Sequence, residues 1–208
     1  MSALQESLFC HKHRRCRGSP QGKYDPTSNT DKFNKDPRVT ETQNCYTFAV
    51  SDEVDPVLAQ QCDGKINCDP QFHQPGGKNK HAYLLRSSAG RACKIVERLV
   101  KSDVPDMTLS SFEARCPVGM SKIALVTHPG EDYHFYKQVK HRKTRKSLWL
   151  HKDGGNPAKN YDADGLPIFN PEFASRDYRP GSFLNYSDFC GFYCVPRTHP
   201  NRLMTDTS

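Results

Sequence analysis

Two apolar patterns along the chain predict helices. In the segment 89–103 the apolar residues recur at the i, i+3, i+4 spacing of an amphipathic helix. A shorter helix is predicted to run from Cys45 toward Val54, because a polar leader gives way there to an apolar run. Asn44 is a favourable N-cap for this second helix, since its side chain can accept hydrogen bonds from the first free backbone amides.

The remaining apolar runs predict strands. SKIALVTH (121–128) is a β-branched run typical of a buried strand. DYHFYKQV (132–139) and SLWLHK (147–152) predict two more strands, joined by a basic loop. The segment NYSDFCGFYCVP (185–196) predicts short aromatic strands or turns. Helices followed by antiparallel strands predict an α+β fold, with N-terminal helices packed on a small antiparallel sheet.

The distribution of polar residues divides the chain into three parts. Residues 1–40 lack apolar periodicity and are rich in Ser, Asn, Asp, Pro, Lys and Arg, which predicts an extended arm that orders against a partner. Residues 41–200 form the predicted α+β domain, and residues 201–208 form a tail. No apolar run approaches the roughly 20 residues needed to span a bilayer.

The positive charge is concentrated in two clusters. The formal net charge is +7, and HKHRRCR (11–17) and KQVKHRKTRK (137–146) carry most of the excess. The cluster Lys137–Lys146 predicts contact with an acidic partner or nucleic acid, with a solvated loop as the simpler alternative. Residues 1–40 are the predicted contact with other protein subunits.

Cysteine content and the N-terminus bear on the compartment. The N-terminus has no apolar segment after a basic start, so we expect an intracellular soluble protein, with a virion as the alternative. Nine cysteines leave at least one outside an intramolecular disulfide, and reduced thiols are expected first inside a cell. Cys190 and Cys194 either pack as reduced thiols, form a local disulfide, or supply half of a zinc site with Cys62 and Cys68.

Cys45 is the candidate nucleophile. A cysteine reacts as its thiolate, and both a helix N-terminus and a neighbouring imidazole lower the thiol pKa. The first turn of the predicted helix supplies one of these, and His134 would supply the other as general base. Gln74, in the stretch HQPGG, is a candidate donor to an oxyanion. The plainer alternative for Cys45 is a buried structural thiol.

A second histidine is predicted to lie beside His134. If the basic loop is a symmetric hairpin centred between residues 142 and 143, His134 lies opposite His151 on one face of the sheet. A one-residue slip would turn the two rings to opposite faces. His151 or Asp153 would then orient the imidazole of the base, although Asp153 in KDGG is also a natural turn residue.

This order of residues resembles papain-like thiol hydrolases, and in particular the compact peptidoglycan amidase and endopeptidase branch with its Cys–His–His or Cys–His–Asn sets. The motifs NCYTFA, HQPGG, GEDYHFYKQ, WLHKDG with NYDADG, and FCGFYCVP look similar to those of a scattered group of uncharacterised bacterial, phage and large-DNA-virus proteins. The resemblance covers roughly residues 43–196 as islands. It implies a papain-like fold, and it implies activity if Cys45 and His134 meet. The basic tip KHRKTRK and the arm before Asn44 depart from the pattern.

Two functions are expected from these observations. The first is a cysteine peptidase or amidase acting on a peptide or amide substrate, or a catalytically lapsed relative of one. The alternative is a non-enzymatic structural protein, such as a minor capsid component of a large DNA virus, which uses the arm and the basic loop for contacts. No phosphate-binding glycine loop or dinucleotide fingerprint is present in the sequence, so no cofactor is expected.

Overall fold

The computed structural model describes residues 18–22, 25–51, 74–77, 91–144, 146–179 and 181–197. Within these ranges the helices are α1 (Asp31–Asn34), α2 (Pro37–Thr42), α3 (Cys45–Val50) and α4 (Ala92–Asp103). The strands are β1 (Thr108–Ser110), β2 (Met120–His128), β3 (Asp132–Lys140), β4 (Ser147–His151) and β5 (Asp188–Pro196).

The five strands form one antiparallel sheet in the order β1-β5-β2-β3-β4. Helices precede the sheet along the chain, so the predicted α+β class is confirmed. Strand β5 is nine residues long and lies between β1 and β2. The prediction of short aromatic strands or turns for 185–196 was therefore wrong. Gly191 and the cysteines interrupt the apolar alternation that would have identified one long strand.

The sheet is covered on both faces, which explains why β2 and β3 are buried along almost their whole length. On one face, called here the helix face, Leu125 and Phe135 pack with apolar residues of α3 and α4. On the other face, called the loop face, Trp149 packs with Ile168 and Tyr186 from the irregular segment that follows β4. Because side chains alternate along a strand, neighbouring residues point to different faces.

Helix α3 begins where the sequence predicts. The side chain of Asn44 accepts hydrogen bonds from the amides of Tyr46 (3.0 Å) and Thr47 (3.1 Å), and the Thr47 hydroxyl accepts from the Asn44 amide (3.1 Å). This reciprocal capping box fixes the first turn. The helix ends at Val50, short of the predicted Val54, and α4 covers residues 92–103 of the predicted segment.

The described residues before α3 pack onto the domain and include α1 and α2, within the stretch 1–40 for which the sequence predicts an extended arm. The ring of Phe33 in α1 packs edge-on against Phe48 of α3, with centroids 4.9 Å apart. The Asn34 side chain donates to the Ala158 carbonyl (3.0 Å) and accepts from the Ala158 amide (2.8 Å). A single aromatic residue in a polar stretch has no periodicity, which is why the sequence pattern missed this contact.

Some predictions fall on residues outside the described ranges. These include residues 1–17, Cys62, Cys68 and the tail 201–208. None of the helices in the described part of the chain is long and apolar enough to cross a membrane.

The β3–β4 hairpin closes one position later than predicted. Lys140 pairs with Ser147 and Tyr136 with His151, so His134 does not lie directly opposite His151. The loop contains no Gly, Asn or Pro that would mark its centre in the sequence. Because the offset along β3 is two residues, both histidines nevertheless stay on the loop face.

The basic cluster 137–146 is only partly a surface feature. Lys137 is buried, donates to the Ser51 carbonyl (2.8 Å) and lies over the ring of Phe48. Lys140 is buried as well. The cations of this cluster that are exposed belong to the loop tip: Arg142, Lys143 and Lys146.

Two disulfides attach β5 to the rest of the domain. Cys93 in α4 bonds to Cys190, and Cys116, just before β2, bonds to Cys194. The expectation of reduced thiols, a local disulfide or zinc ligation at Cys190 and Cys194 was therefore wrong. Their partners, Cys93 and Cys116, lie 97 and 78 residues away along the chain, and the spacing of cysteines does not predict such pairings.

Candidate functional site

Cys45 lies at the start of α3, sealed between the helix and β3. Its side chain is 7% exposed, and its Sγ lies 4.0 Å from the Tyr133 carbonyl oxygen. Burial in this apolar environment, reinforced by the negative charge of Asp132, raises the pKa of the Cys45 thiol well above its ordinary value. The thiol is therefore held in its protonated, unreactive form.

The sheet separates Cys45 from His134. Tyr133 and Phe135, the two neighbours of His134 in β3, belong to the same apolar cluster as Cys45 on the helix face. His134 points to the loop face, where its ring lies 5.2 Å from that of Tyr186. The predicted nucleophile and base are therefore not brought together. The sequence identified both residues as candidates, but it did not predict on which face of the sheet α3 packs.

Gln74 lies on the Cys45 side of the sheet, where it contacts Tyr133. Its side-chain carbonyl accepts a short hydrogen bond from the Tyr133 hydroxyl. This contact uses the acceptor oxygen of the side chain, and the donor role of its amide group toward an oxyanion stays a prediction. Gln74 thus ties the short described segment 74–77 to β3.

On the loop face His134, His151 and Asp153 form a compact cluster. The Nε2 of His134 lies 2.8 Å from Nδ1 of His151. The Oδ1 of Asp153 lies 3.2 Å from Nδ1 of His151 and 3.5 Å from Nε2 of His134. The predicted neighbourhood of these three residues is therefore present, although the two histidines meet diagonally across the strands. Asp153 reaches back to the rings from the turn after β4.

A segment that the sequence analysis did not single out supports the cluster. Lys159 donates to the other oxygen of Asp153, and its backbone exchanges two hydrogen bonds with that of His151 (2.8 and 2.9 Å). The Tyr161 carbonyl lies 2.8 Å from Nε2 of His151. No sequence signal marks Lys159, because the chain returns to β4 through an irregular stretch without periodicity.

The environment of the cluster keeps His134 neutral. Both rings are buried, and His134 is flanked by the rings of Tyr136 and Tyr186, each 5.2 Å away. Burial, followed by the repulsion from His151, lowers the pKa of His134 to about 3. Burial acts to raise the pKa of Asp153, but its interactions with His151, His134 and Lys159 outweigh burial and hold that pKa below its usual value.

Lys152, between His151 and Asp153 in sequence, points to the opposite side of the sheet from the cluster. Its side chain is fully buried, and its Nζ donates to the carbonyls of Thr40 and Gly154 (2.6 Å for Gly154). Burial lowers its pKa to about 8. The contact ties α2 to the turn after β4 and gives Lys152 a structural role.

The nitrogen and oxygen atoms of the cluster could ligate a metal ion or transfer protons. His134, His151 and Asp153 each offer one ligand atom, all within 4.8 Å of one another, so they could hold a metal ion. Cys45, the free cysteine of the described residues, lies in the apolar cluster of the helix face and is not one of these ligand residues. Among the described residues, no cysteine joins the two histidines and the carboxylate.

Comparison with known proteins gives one relative of note. No family model matches the chain, and no solved structure matches it. The chain is similar to insoluble matrix shell protein 1 of Ruditapes philippinarum, with 29% identity over 172 residues. The similar region covers 82% of this chain and 91% of the relative, so it is much longer than one motif.

Proposed function

We propose that this chain is a non-enzymatic structural protein of an extracellular protein matrix, built on a disulfide-linked α+β domain. The observation that carries the proposal is the pairing of four of the five described cysteines in two disulfides. Disulfides of this kind persist in oxidising compartments and are rare inside cells. They support an extracellular location over the intracellular one expected from the N-terminal sequence.

The similarity to a shell matrix protein supports the same proposal. That relative is named as an insoluble matrix protein, and the match runs through most of both chains. A structural role requires stability and surface contacts rather than a reactive group. The sealed thiol of Cys45 and its separation from His134 agree with that requirement.

The finer assignment of the fold is part of the proposal. We infer a papain-like ancestor in which a cysteine at a helix N-terminus packs on an antiparallel sheet. The capped helix α3 resting on β3 supports this inference. In this descendant the cysteine serves as core packing, so the hydrolase function has lapsed.

The exposed loop tip is the proposed contact with an acidic component of the matrix. Arg142, Lys143 and Lys146 extend from the end of the hairpin, where no described acidic side chain forms an ion pair with them. Replacing all three by Gln should shorten the retention of the protein on an immobilised polyanion. Unchanged retention would assign the binding to another surface.

Fractionation of the source organism tests the main proposal. An antibody against the chain should detect it in extracellular material, with the described disulfides intact by non-reducing peptide mapping. Extraction should require denaturant and should improve when a reductant is added. A cytosolic protein with reduced Cys190 and Cys194 would contradict the proposal.

The reactivity of Cys45 tests the hydrolase alternative directly. Iodoacetamide should leave Cys45 unlabelled in the native protein between pH 6 and 9 and should label it after denaturation. Fast native labelling below pH 7 that is lost in His134→Ala would restore the hydrolase interpretation and overturn the proposed one. Mass spectrometry of the peptide that contains Cys45 gives the readout.

A further inference from the structure

We propose that His134, His151 and Asp153 form a binding site for a divalent transition-metal ion of the zinc type, on the loop face of the sheet. The site does not depend on the proposed matrix function. It rests on the spacing of the three ligand atoms, on the tautomer of His151 and on the contacts that hold each ligand.

The spacing of the ligand atoms fits one ion. The separations among His134 Nε2, His151 Nδ1 and Asp153 Oδ1 are 2.8, 3.2 and 3.5 Å. A tetrahedral ion with bonds of about 2.0–2.1 Å separates its ligands by roughly 3.3 Å. An ion at that bond length from all three atoms would lie roughly 0.9 Å out of their plane, which leaves a fourth direction for water.

The tautomer of His151 points an electron pair into the cluster. A carbonyl oxygen only accepts hydrogen bonds, so the contact with Tyr161 places a proton on Nε2 of His151. In the neutral ring Nδ1 then carries the lone pair and faces the Asp153 oxygen, which is also an acceptor. One proton on Nε2 of His134 cannot satisfy both acceptors at short range. A cation in the centre satisfies all three atoms.

The surroundings orient each ligand as metal sites require. His151 is held through its second ring nitrogen by a backbone carbonyl, the usual arrangement for a metal-bound histidine. Lys159 occupies the far oxygen of Asp153 and so leaves Oδ1 for the ion. The ring of His134 is fixed between Tyr136 and Tyr186.

The ligand set also selects the class of ion. Two imidazole nitrogens and one carboxylate suit zinc and its neighbours, whereas calcium and magnesium prefer all-oxygen sites. Both histidine side chains are nearly inaccessible, but the Asp153 side chain is 34% exposed, so the ion has an entry path and the fourth position is open to water. Bound metal would join β3, β4 and the segment 159–161.

Metal analysis of the oxidised, untagged full chain tests the site. After incubation with ZnCl₂ and gel filtration, wild-type protein should retain one zinc per chain that Asp153→Asn and His151→Gln do not retain. Their affinity for Zn²⁺ in a competition assay should fall by at least about tenfold. The control variant His141→Gln, on the exposed hairpin loop, should bind as wild type does. Circular dichroism must show that each variant is folded.

If the variants do not fold, X-ray absorption spectroscopy of the zinc-loaded wild-type protein still tests the site. The expected spectrum has only nitrogen and oxygen ligands, with the scattering of two imidazoles. Sulfur in the coordination shell would place the ion at other cysteines and overturn the proposal. Absence of retained zinc would also overturn the proposal.

Discussion

The two disulfides should contribute to stability in a non-additive way, because the loops they close overlap. Cys93 and Cys190 are separated by 97 residues, and Cys116 and Cys194 by 78. Cys93 lies about 23 residues before Cys116, and Cys190 about four before Cys194, so once one disulfide is closed the other closes a loop of only about 27 residues.

The chain-entropy relation converts these loops into free energies. A loop of about 27 residues gives about 3.5 kcal/mol at 25 °C, whereas a loop of 78 or 97 residues gives about 4.5 kcal/mol. Removing either disulfide alone should therefore lower the free energy of unfolding by about 3.5 kcal/mol. Removing both should lower it by about 8 kcal/mol, which is more than twice the effect of one.

Guanidinium unfolding of the paired Cys→Ala variants measures this difference. The single tryptophan, Trp149, is fully buried in the sheet and reports the transition by fluorescence. The variants are Cys93→Ala with Cys190→Ala, Cys116→Ala with Cys194→Ala, and the combination of all four. Cys45→Ala is the matched control, because it removes a buried thiol but neither disulfide.

The reasoning fails on either of two results. If each double variant unfolds within about 1 kcal/mol of wild type, the disulfides do not constrain the unfolded chain as the relation requires. If the quadruple variant shows only the sum of the two separate losses, the overlap of the loops has no effect. The Cys45→Ala control should be destabilised by dithiothreitol as much as wild type.

Three further predictions concern single residues. Asn44→Ala should lower the free energy of unfolding by about 1 kcal/mol in urea titration, whereas Asn44→Ser should keep most of the cap. Tyr46→Phe should lower it by about 1.5–3 kcal/mol in the same titration, since Tyr46 donates to the buried carboxylate of Asp103 (2.9 Å). Lys122 is buried, with its pKa lowered to about 8 by burial. The unfolded state therefore binds more protons above pH 8, so the free energy of unfolding of wild type should rise by about 2 kcal/mol relative to that of Lys122→Met between pH 8 and 10. Unfolding titrations at each pH measure this difference.

Local chemistry made part of the fold predictable. The apolar run of β2, the amphipathic helix α4 and the cap at Asn44 depend on residues close together in sequence. The disulfide partners and the packing of Phe33 on Phe48 depend on residues far apart, and no spacing rule identifies them. For the same reason β5 was missed as a central strand.

The candidate site divides in the same way. The period-two alternation of side chains predicted that His134 and His151 share one face of the sheet. They do share that face, although the hairpin closes one position later than predicted. The sequence did not reveal that Cys45 lies on the other face, because the side on which α3 packs is decided by the whole apolar pattern. The sequence did not identify Lys159, since its contact with Asp153 forms only when the chain folds back onto β4.

The alternation of β3 decides between the two interpretations of His134. Bringing its ring to Cys45 would require a one-residue slip of β3, which would turn Tyr133 and Phe135 out of the apolar cluster that also holds Cys45. Exposing two such aromatic side chains costs roughly 1.5–3 kcal/mol each, before the broken strand pairing is counted. The metal interpretation requires no such change, because His134 already faces His151 and Asp153. In the observed register the ring of His134 thus faces His151 and Asp153, while Cys45 packs in the apolar cluster of the helix face.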